Sequence, residues 1–209
     1  MAGPRARGVT VPATGEATGE NGPVSEHAAG LGVDEIMDLL ATGAARPLSP
    51  GVPVSQLDHA LQTASLLEHE FPGDHELAAA GLVHDIGHLL PGGTDEAHAT
   101  DAAREVRRVL GARVAGMVGL HVAAKRYLVA TDGGYGGVLT ADSVVSLGRQ
   151  GGAMNEEEAA AFVSQPFAAD AVTLRRADDS GKVEGLVVRD LGHWLPLLRE
   201  LSERGGAGS

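Results

Sequence analysis

Apolar residues recur at helical spacing along most of the chain beyond residue 30, and few runs show the strict alternation of a half-buried strand. Val33, Ile36, Met37, Leu39 and Leu40 predict a first helix within Gly32–Ala44, with Asp34 and Glu35 early in it, where the helix dipole favours acids. Three prolines and a glycine make Arg46–Pro53 a loop. Ser55 then caps a helix over Gln56–Phe71 whose apolar stripe is Leu57, Ala60, Leu61, Ala64 and Leu67. Pro72-Gly73-Asp74 breaks the chain. The next helix is predicted over Asp74–Leu90, ended by Pro91-Gly92-Gly93, and is followed by helices over Asp95–Leu110 and Gly111–Leu128. After a glycine-rich loop over Thr131–Gly137, Thr140 caps a helix through Leu147 and Asn155 caps one through Val163. Pro166 is placed in the first turn of a helix reaching about Glu184, and Asp190–Arg204 closes the fold. Val183–Arg189 has some extended character, but one short run with a glycine in it does not make a sheet. The expectation is an all-α bundle of about eight to nine helices.

Composition sharpens this picture. Residues 1–30 hold almost no large apolar side chain and are expected to be a disordered N-terminal tail, followed by a single domain over 31–204 and a flexible tail over 205–209. The sequence of 209 residues is 43% hydrophobic and only 3% aromatic, so its core must come from Leu, Val, Ala and Ile, which suits close helix packing. A formal charge of −12, with no compensating basic stripe, excludes nucleic acid as a partner but not a small anion held by a few local cations. With no cysteine, thiolate metal sites and cysteine nucleophiles are excluded. No apolar run is long enough for a membrane span, so a cytoplasmic protein, monomeric or a small homo-oligomer, is expected.

The chemistry concentrates in Ala80-Gly81-Leu82-Val83-His84-Asp85-Ile86-Gly87-His88. On a continuous helix, His88 would share the His84 face while Asp85 diverges by about 100°. Of the 9 histidines, His27, His69, His75 and His193 lack spaced partners and read as ordinary surface or packing residues. His59, His84, Asp85, His98, His121 and Asp178 instead fall on predicted helices among small or apolar neighbours. Helical bundles build dinuclear sites from such inward-pointing ligands on separate helices. With Asp85 bridging, His59, His84 and Asp178 would complete one metal, and His98 and His121 the other. Lys125 lies one turn beyond His121 and Arg175 three residues before Asp178, so both cations are placed on the metal side of their helices. Arg126 and Arg176 point about 100° away from those neighbours, and Asp179 reads as a surface or supporting acid that Lys182 can pair.

A His, a His-Asp pair and a distant Asp, with two further histidines between, resemble the HD superfamily. The resemblance sharpens over Ser55–Lys182. It is carried by Gln56-Leu57-Asp58-His59-Ala60-Leu61-Gln62, by Leu82–His88, and by the stretch from His121-Val122-Ala123-Ala124-Lys125-Arg126-Tyr127-Leu128 to Gln150-Gly151-Gly152-Ala153-Met154. These segments are similar to those of the HD-domain mixed-valent diiron oxygenases of the PhnZ type, which cleave the carbon–phosphorus bond of 1-hydroxyphosphonates. The resemblance implies an HD-domain bundle with two irons, Fe(II) and Fe(III), in its core, and dioxygen as co-substrate. It implies a small organophosphonate as substrate, with a carboxylic acid and inorganic phosphate as products. It also implies phosphonate contacts at His88, Lys125, Ser143 and Arg175, with His88 and Lys125 in catalytic positions. The competing reading is a two-metal HD phosphohydrolase acting on a phosphate monoester or nucleotide, which the ligands alone do not distinguish.

Family members that take amino-substituted substrates carry a Tyr and a Glu on a loop shortly before the first histidine. Here that loop is Leu48-Ser49-Pro50-Gly51-Val52-Pro53-Val54, without carboxylate or aromatic, although Asp58 lies nearby. A cationic tail would lack its counter-charge, which points to a 1-hydroxyphosphonate without an amine, small or apolar beyond its carbinol carbon.

Overall fold

The computed structural model describes Met1 and residues 31–50 and 52–206, and its described residues contain no strand, only an isolated bridge between Pro47 and Ser55. The expected tail over 1–30 therefore lies, Met1 apart, outside the described residues. Eight α-helices carry the fold: α1 Val33–Thr42, α2 Gln56–Glu70, α3 His75–Val83, α4 His98–Thr131, α5 Ala141–Arg149, α6 Glu156–Val163, α7 Ala168–Ser180 and α8 Leu191–Gly206. The main core gathers Ile36, Leu40, Leu67, Leu82, Met117, Leu174, Trp194 and Leu198 between α1, α2, α3, α4, α7 and α8. A smaller cluster of Ala124, Phe162, Ala168 and Ala171 seats α6 and the start of α7 on α4. No helix among the described residues is long and apolar enough to cross a membrane.

The expected caps form. Ser55 Oγ accepts from Asp58 N at 3.0 Å while Asp58 Oδ2 accepts from Ser55 N, a reciprocal box that commits Asp58 to the start of α2. Thr140 and Asn155 accept from the backbone N–H groups of Ser143 and Glu158. Several boundaries differ from expectation, each for a tertiary reason. The helix expected over Asp74–Leu90 stops at Val83, and a single 3₁₀ turn follows over Ile86–His88. Gly87 lies so close to α4 that a Cβ there would come within 2.0 Å of the His98 carbonyl oxygen, and a straight helix could not deliver that approach. His88 is therefore not on the helical face of His84, as the four-residue spacing suggested. α7 starts at Ala168, not at Pro166, because Phe167 takes a left-handed conformation (φ 65°) that lays its ring on Gly116. It ends at Ser180, short of Glu184, because Gly181 abuts α2: a Cβ there would lie 2.5 Å from Thr63 Oγ1. Beyond it, Val183 is pinned by the Gln62 amide through both its N–H (2.9 Å) and its carbonyl (2.8 Å).

Two expected helices, Asp95–Leu110 and Gly111–Leu128, are the two limbs of α4. The first turn begins at His98, and Gly111 (φ 89°, ψ 174°) folds one limb back against the other. The fold-back matters for chemistry. In a straight helix, residues 23 positions apart are about 35 Å apart, yet His98 and His121 meet ring to ring. α5 is the exception to the packed design. Only its Ser143 is buried, and Val144 and Val145 remain half exposed.

Candidate metal centre

Four imidazoles and two carboxylates converge from α2 (His59), the end of α3 and its following turn (His84, Asp85), both limbs of α4 (His98, His121) and α7 (Asp178). Each imidazole is oriented by its own backbone. Nδ1 contacts the carbonyl oxygen of Gly181 for His59 (2.8 Å), of Gly81 for His84 (2.8 Å), of Asp95 for His98 (2.8 Å) and of Val118 for His121 (2.7 Å). A carbonyl oxygen only accepts, so each Nδ1 carries the proton and each Nε2 presents a lone pair to the centre. Those lone pairs face one another: His59 Nε2 is 3.1 Å from His84 Nε2, and His98 Nε2 is 3.2 Å from His121 Nε2. Two acceptors at that distance with no proton between them repel, and cations between them remove the repulsion. The donor set thus fits metal ions.

Asp85 sits between the two pairs. One of its oxygens lies 3.7 Å and 3.5 Å from the Nε2 atoms of His59 and His84, and the other lies 3.5 Å from those of both His98 and His121. That is the geometry of a bridging carboxylate. Asp178 approaches the first pair, with Oδ1 3.3 Å from His59 Nε2. Ligand atoms of His59, His84 and Asp178 lie within 4.8 Å of one another, and so do those of Asp85, His88 and His98. His88 stacks on His98 with ring centroids 4.0 Å apart, so the 3₁₀ turn keeps it at the centre although helical spacing does not.

Electrostatics match the geometry. Burial is the main cause that pushes the His84 and His98 imidazoles down, to about 4 and about 3, so both are neutral ligands at neutral pH. Burial alone would raise the Asp178 carboxyl, but Arg175 Nη1 at 2.6 Å and Lys182 Nζ at 3.0 Å hold it well below the usual carboxylate range. The centre opens into a cavity of about 600 Å³. Its lining combines polar side chains, Lys125, Ser143, Ser146, Arg175 and Lys182, with apolar ones, Leu48, Pro50, Val52, Val122 and Val145. Lys125 is 3% exposed, and burial, then the charge of Arg175, brings its ammonium down to about 8.

The structure brings together every site residue expected from the sequence. His88, Lys125, Ser143 and Arg175 all line the cavity above the six-residue cluster. Arg126 and Arg176 turn away as expected, to Glu158 and Asp132. Sequence reasoning missed Ser146, whose Oγ accepts from Lys125 Nζ at 2.8 Å; its position three residues after Ser143 was the available signal. It also missed Tyr135, whose hydroxyl reaches Asp179 and Arg175 from the turn after α4, and it left Asp179 as a surface or supporting acid; with its side chain 8% exposed and on Arg175, the second applies. Nothing in the glycine-rich loop sequence marks Tyr135. The Ser49 hydroxyl donates to Asp142 Oδ2 at 2.5 Å and ties the loop before α2 to α5.

Residues 57–160 match the HD domain family. A hydroxymethylphosphonate dioxygenase of Gimesia maris is 41% identical over 147 residues, covering 66% of this chain and 73% of that protein. A [1-hydroxy-2-(trimethylamino)ethyl]phosphonate dioxygenase (glycine-betaine-forming) of Leisingera caerulea is 31% identical over 162 residues, covering 74% and 82%.

Proposed function

The chain belongs to the HD-domain oxygenase family, and from that premise we propose that it cleaves the carbon–phosphorus bond of a small 1-hydroxyphosphonate with dioxygen. The products are a carboxylic acid and inorganic phosphate. The observation that carries the metal requirement is the pair of facing Nε2 lone pairs bridged by Asp85. We assign His59, His84, Asp85 and Asp178 to one metal and Asp85, His98 and His121 to the other. Imidazole and carboxylate donors without thiolate suit non-haem iron. A mixed-valent iron pair, when bound, supplies the redox chemistry with dioxygen that no side chain here provides.

The chain's own residues prepare the substrate. Arg175, Lys125 and the Ser143 hydroxyl receive the phosphonate oxygens, and His88 contacts the group beside the second metal. Ser146 holds the Lys125 ammonium on the cavity wall. Lys125, buried and at about 8, keeps most of its charge at neutral pH while remaining more acidic than a surface lysine.

Two observations favour a substrate without an amine. Leu48, Pro50 and Val52 line the cavity, and of its acids outside the six-residue cluster Asp95 is paired with Arg149 and Asp142 accepts from the Ser49 hydroxyl. Hydroxymethylphosphonate or a short 1-hydroxyalkylphosphonate fits that lining. The test is phosphate release from hydroxymethylphosphonate by iron-loaded protein, with and without oxygen. One phosphate released per dioxygen consumed, and none under anaerobiosis, is expected. Anaerobic release, or release from phosphate monoesters with Mn or Mg, identifies a phosphohydrolase instead. A strong kinetic preference for an aminated substrate overturns the side-chain assignment.

A further inference from the structure

Arg175 is 4% exposed, yet its guanidinium is heavily engaged. Nη1 donates to Asp178 at 2.6 Å; Nε donates to the Tyr135 hydroxyl at 3.0 Å and to Asp179 Oδ2 at 3.1 Å; Nη2 donates to Asp179 Oδ1. The Tyr135 hydroxyl in turn donates to Asp179. A guanidinium has a second N–H on each terminal nitrogen, and Arg175 lines the cavity. We propose that Tyr135 and Asp179 are positioning residues that hold Arg175 in register for an incoming phosphonate and limit its contact with Asp178 to the single bond from Nη1. This rests on the reading above that Arg175 takes the phosphonate.

The charges explain why such a hold is needed. Arg175 shares the cavity lining with Lys125 and Lys182, which repel it. The acid one turn away is Asp178, whose carboxylate is needed at the metal. Left to that acid, the guanidinium would pair with it through both nitrogens and compete with the ion. Asp179, with both oxygens on the Nε–Nη2 edge, occupies the side of the fork that would make that pairing. Tyr135 closes the triangle, accepting from Arg175 while donating to Asp179. Burial pushes its phenol up, so it stays a donor throughout the physiological range.

The hold is built from the turn that follows α4. Tyr135 is 3% exposed in the turn after α4. Its N–H donates to the Asp132 carbonyl at 3.0 Å, and the Asp132 carboxylate takes Arg176 of α7 at 2.9 Å. A loop with glycines on both sides of one buried tyrosine is thus fastened to the helix that carries Arg175, Asp178 and Asp179.

The test uses the iron-loaded full chain and its Tyr135→Phe and Asp179→Asn variants. Iron content and thermal midpoint are measured with the affinity for inorganic phosphate, by calorimetric titration, and the kinetics on hydroxymethylphosphonate. In Tyr135→Phe, the expected outcome is unchanged iron, phosphate affinity about tenfold weaker, and KM raised by about the same factor with kcat changed by less than about threefold. In Arg175→Ala, added guanidinium should restore phosphate binding, and should fail to do so once Tyr135→Phe is added. Unchanged phosphate affinity in both single variants, or iron loss that accounts for the whole effect, overturns the proposal. Absence of phosphate binding by the unaltered protein overturns it together with the phosphonate reading. If phosphate binds but hydroxymethylphosphonate yields no phosphate, the substrate assignment fails, and the binding measurements still decide the role of Tyr135.

Discussion

At the scale of single residues, the motif His84-Asp85-Ile86-Gly87-His88 divides its labour by backbone geometry. His84 ends α3 with its Nδ1 proton on Gly81 O, Asp85 turns into the centre, and His88 comes back onto His98 through the 3₁₀ turn. His84→Ala is therefore expected to lose iron and turnover together. His88→Ala should retain iron while kcat falls by about 10²-fold, as for loss of one polar group acting at the reacting centre. Metal analysis beside initial rates separates the two. The identity of these residues was legible in the sequence because their chemistry is scarce there: no cysteine, and few histidines among apolar neighbours. The support behind them was not. Tyr135 and Arg175 are 40 positions apart and meet only in the folded chain.

Among the helices, the signals that read correctly are those satisfied within three residues, such as the Ser55, Thr140 and Asn155 caps. The boundaries that read wrongly are set where one backbone meets another element. Gly87 against the His98 backbone ends the motif helix, Gly116 beneath Phe167 delays α7, and Gly181 against Thr63 stops it. A local pattern carries no information about such approaches. α5 shows the opposite balance. It is fastened by polar links, Asp142 to Ser49, Ser146 to Lys125 and Arg149 to Asp95, with little burial of its own. Segments with few buried apolar contacts open first. Amide exchange in α5 should thus be faster than in α2 or in α4 near His121, and inorganic phosphate should slow it if Lys125 and Ser143 take the anion as proposed.

Across the whole molecule, the fold buries neutral imidazoles that an unfolded chain would protonate. His84 titrates at about 4 in the native state, against an ordinary histidine value of 6.5, because burial disfavours its charged form. The unfolded state therefore binds more protons between those values, and the stability present above pH 6.5 is lost as pH falls towards 4. A thermal midpoint of the metal-free protein that declines over this window is the expected result; a flat one would show the histidine is not buried as a free base. The fold-back of α4 at Gly111 has a kinetic consequence. It closes His98 on His121, while α7 closes on α2 through Gly181 and His59, 122 positions apart. Bound ions are enclosed by chain segments rather than merely touched by side chains, so their departure has to wait for those segments to part. With excess chelator, the rate of iron loss should reach a plateau that no longer depends on chelator concentration, set by how often the bundle opens.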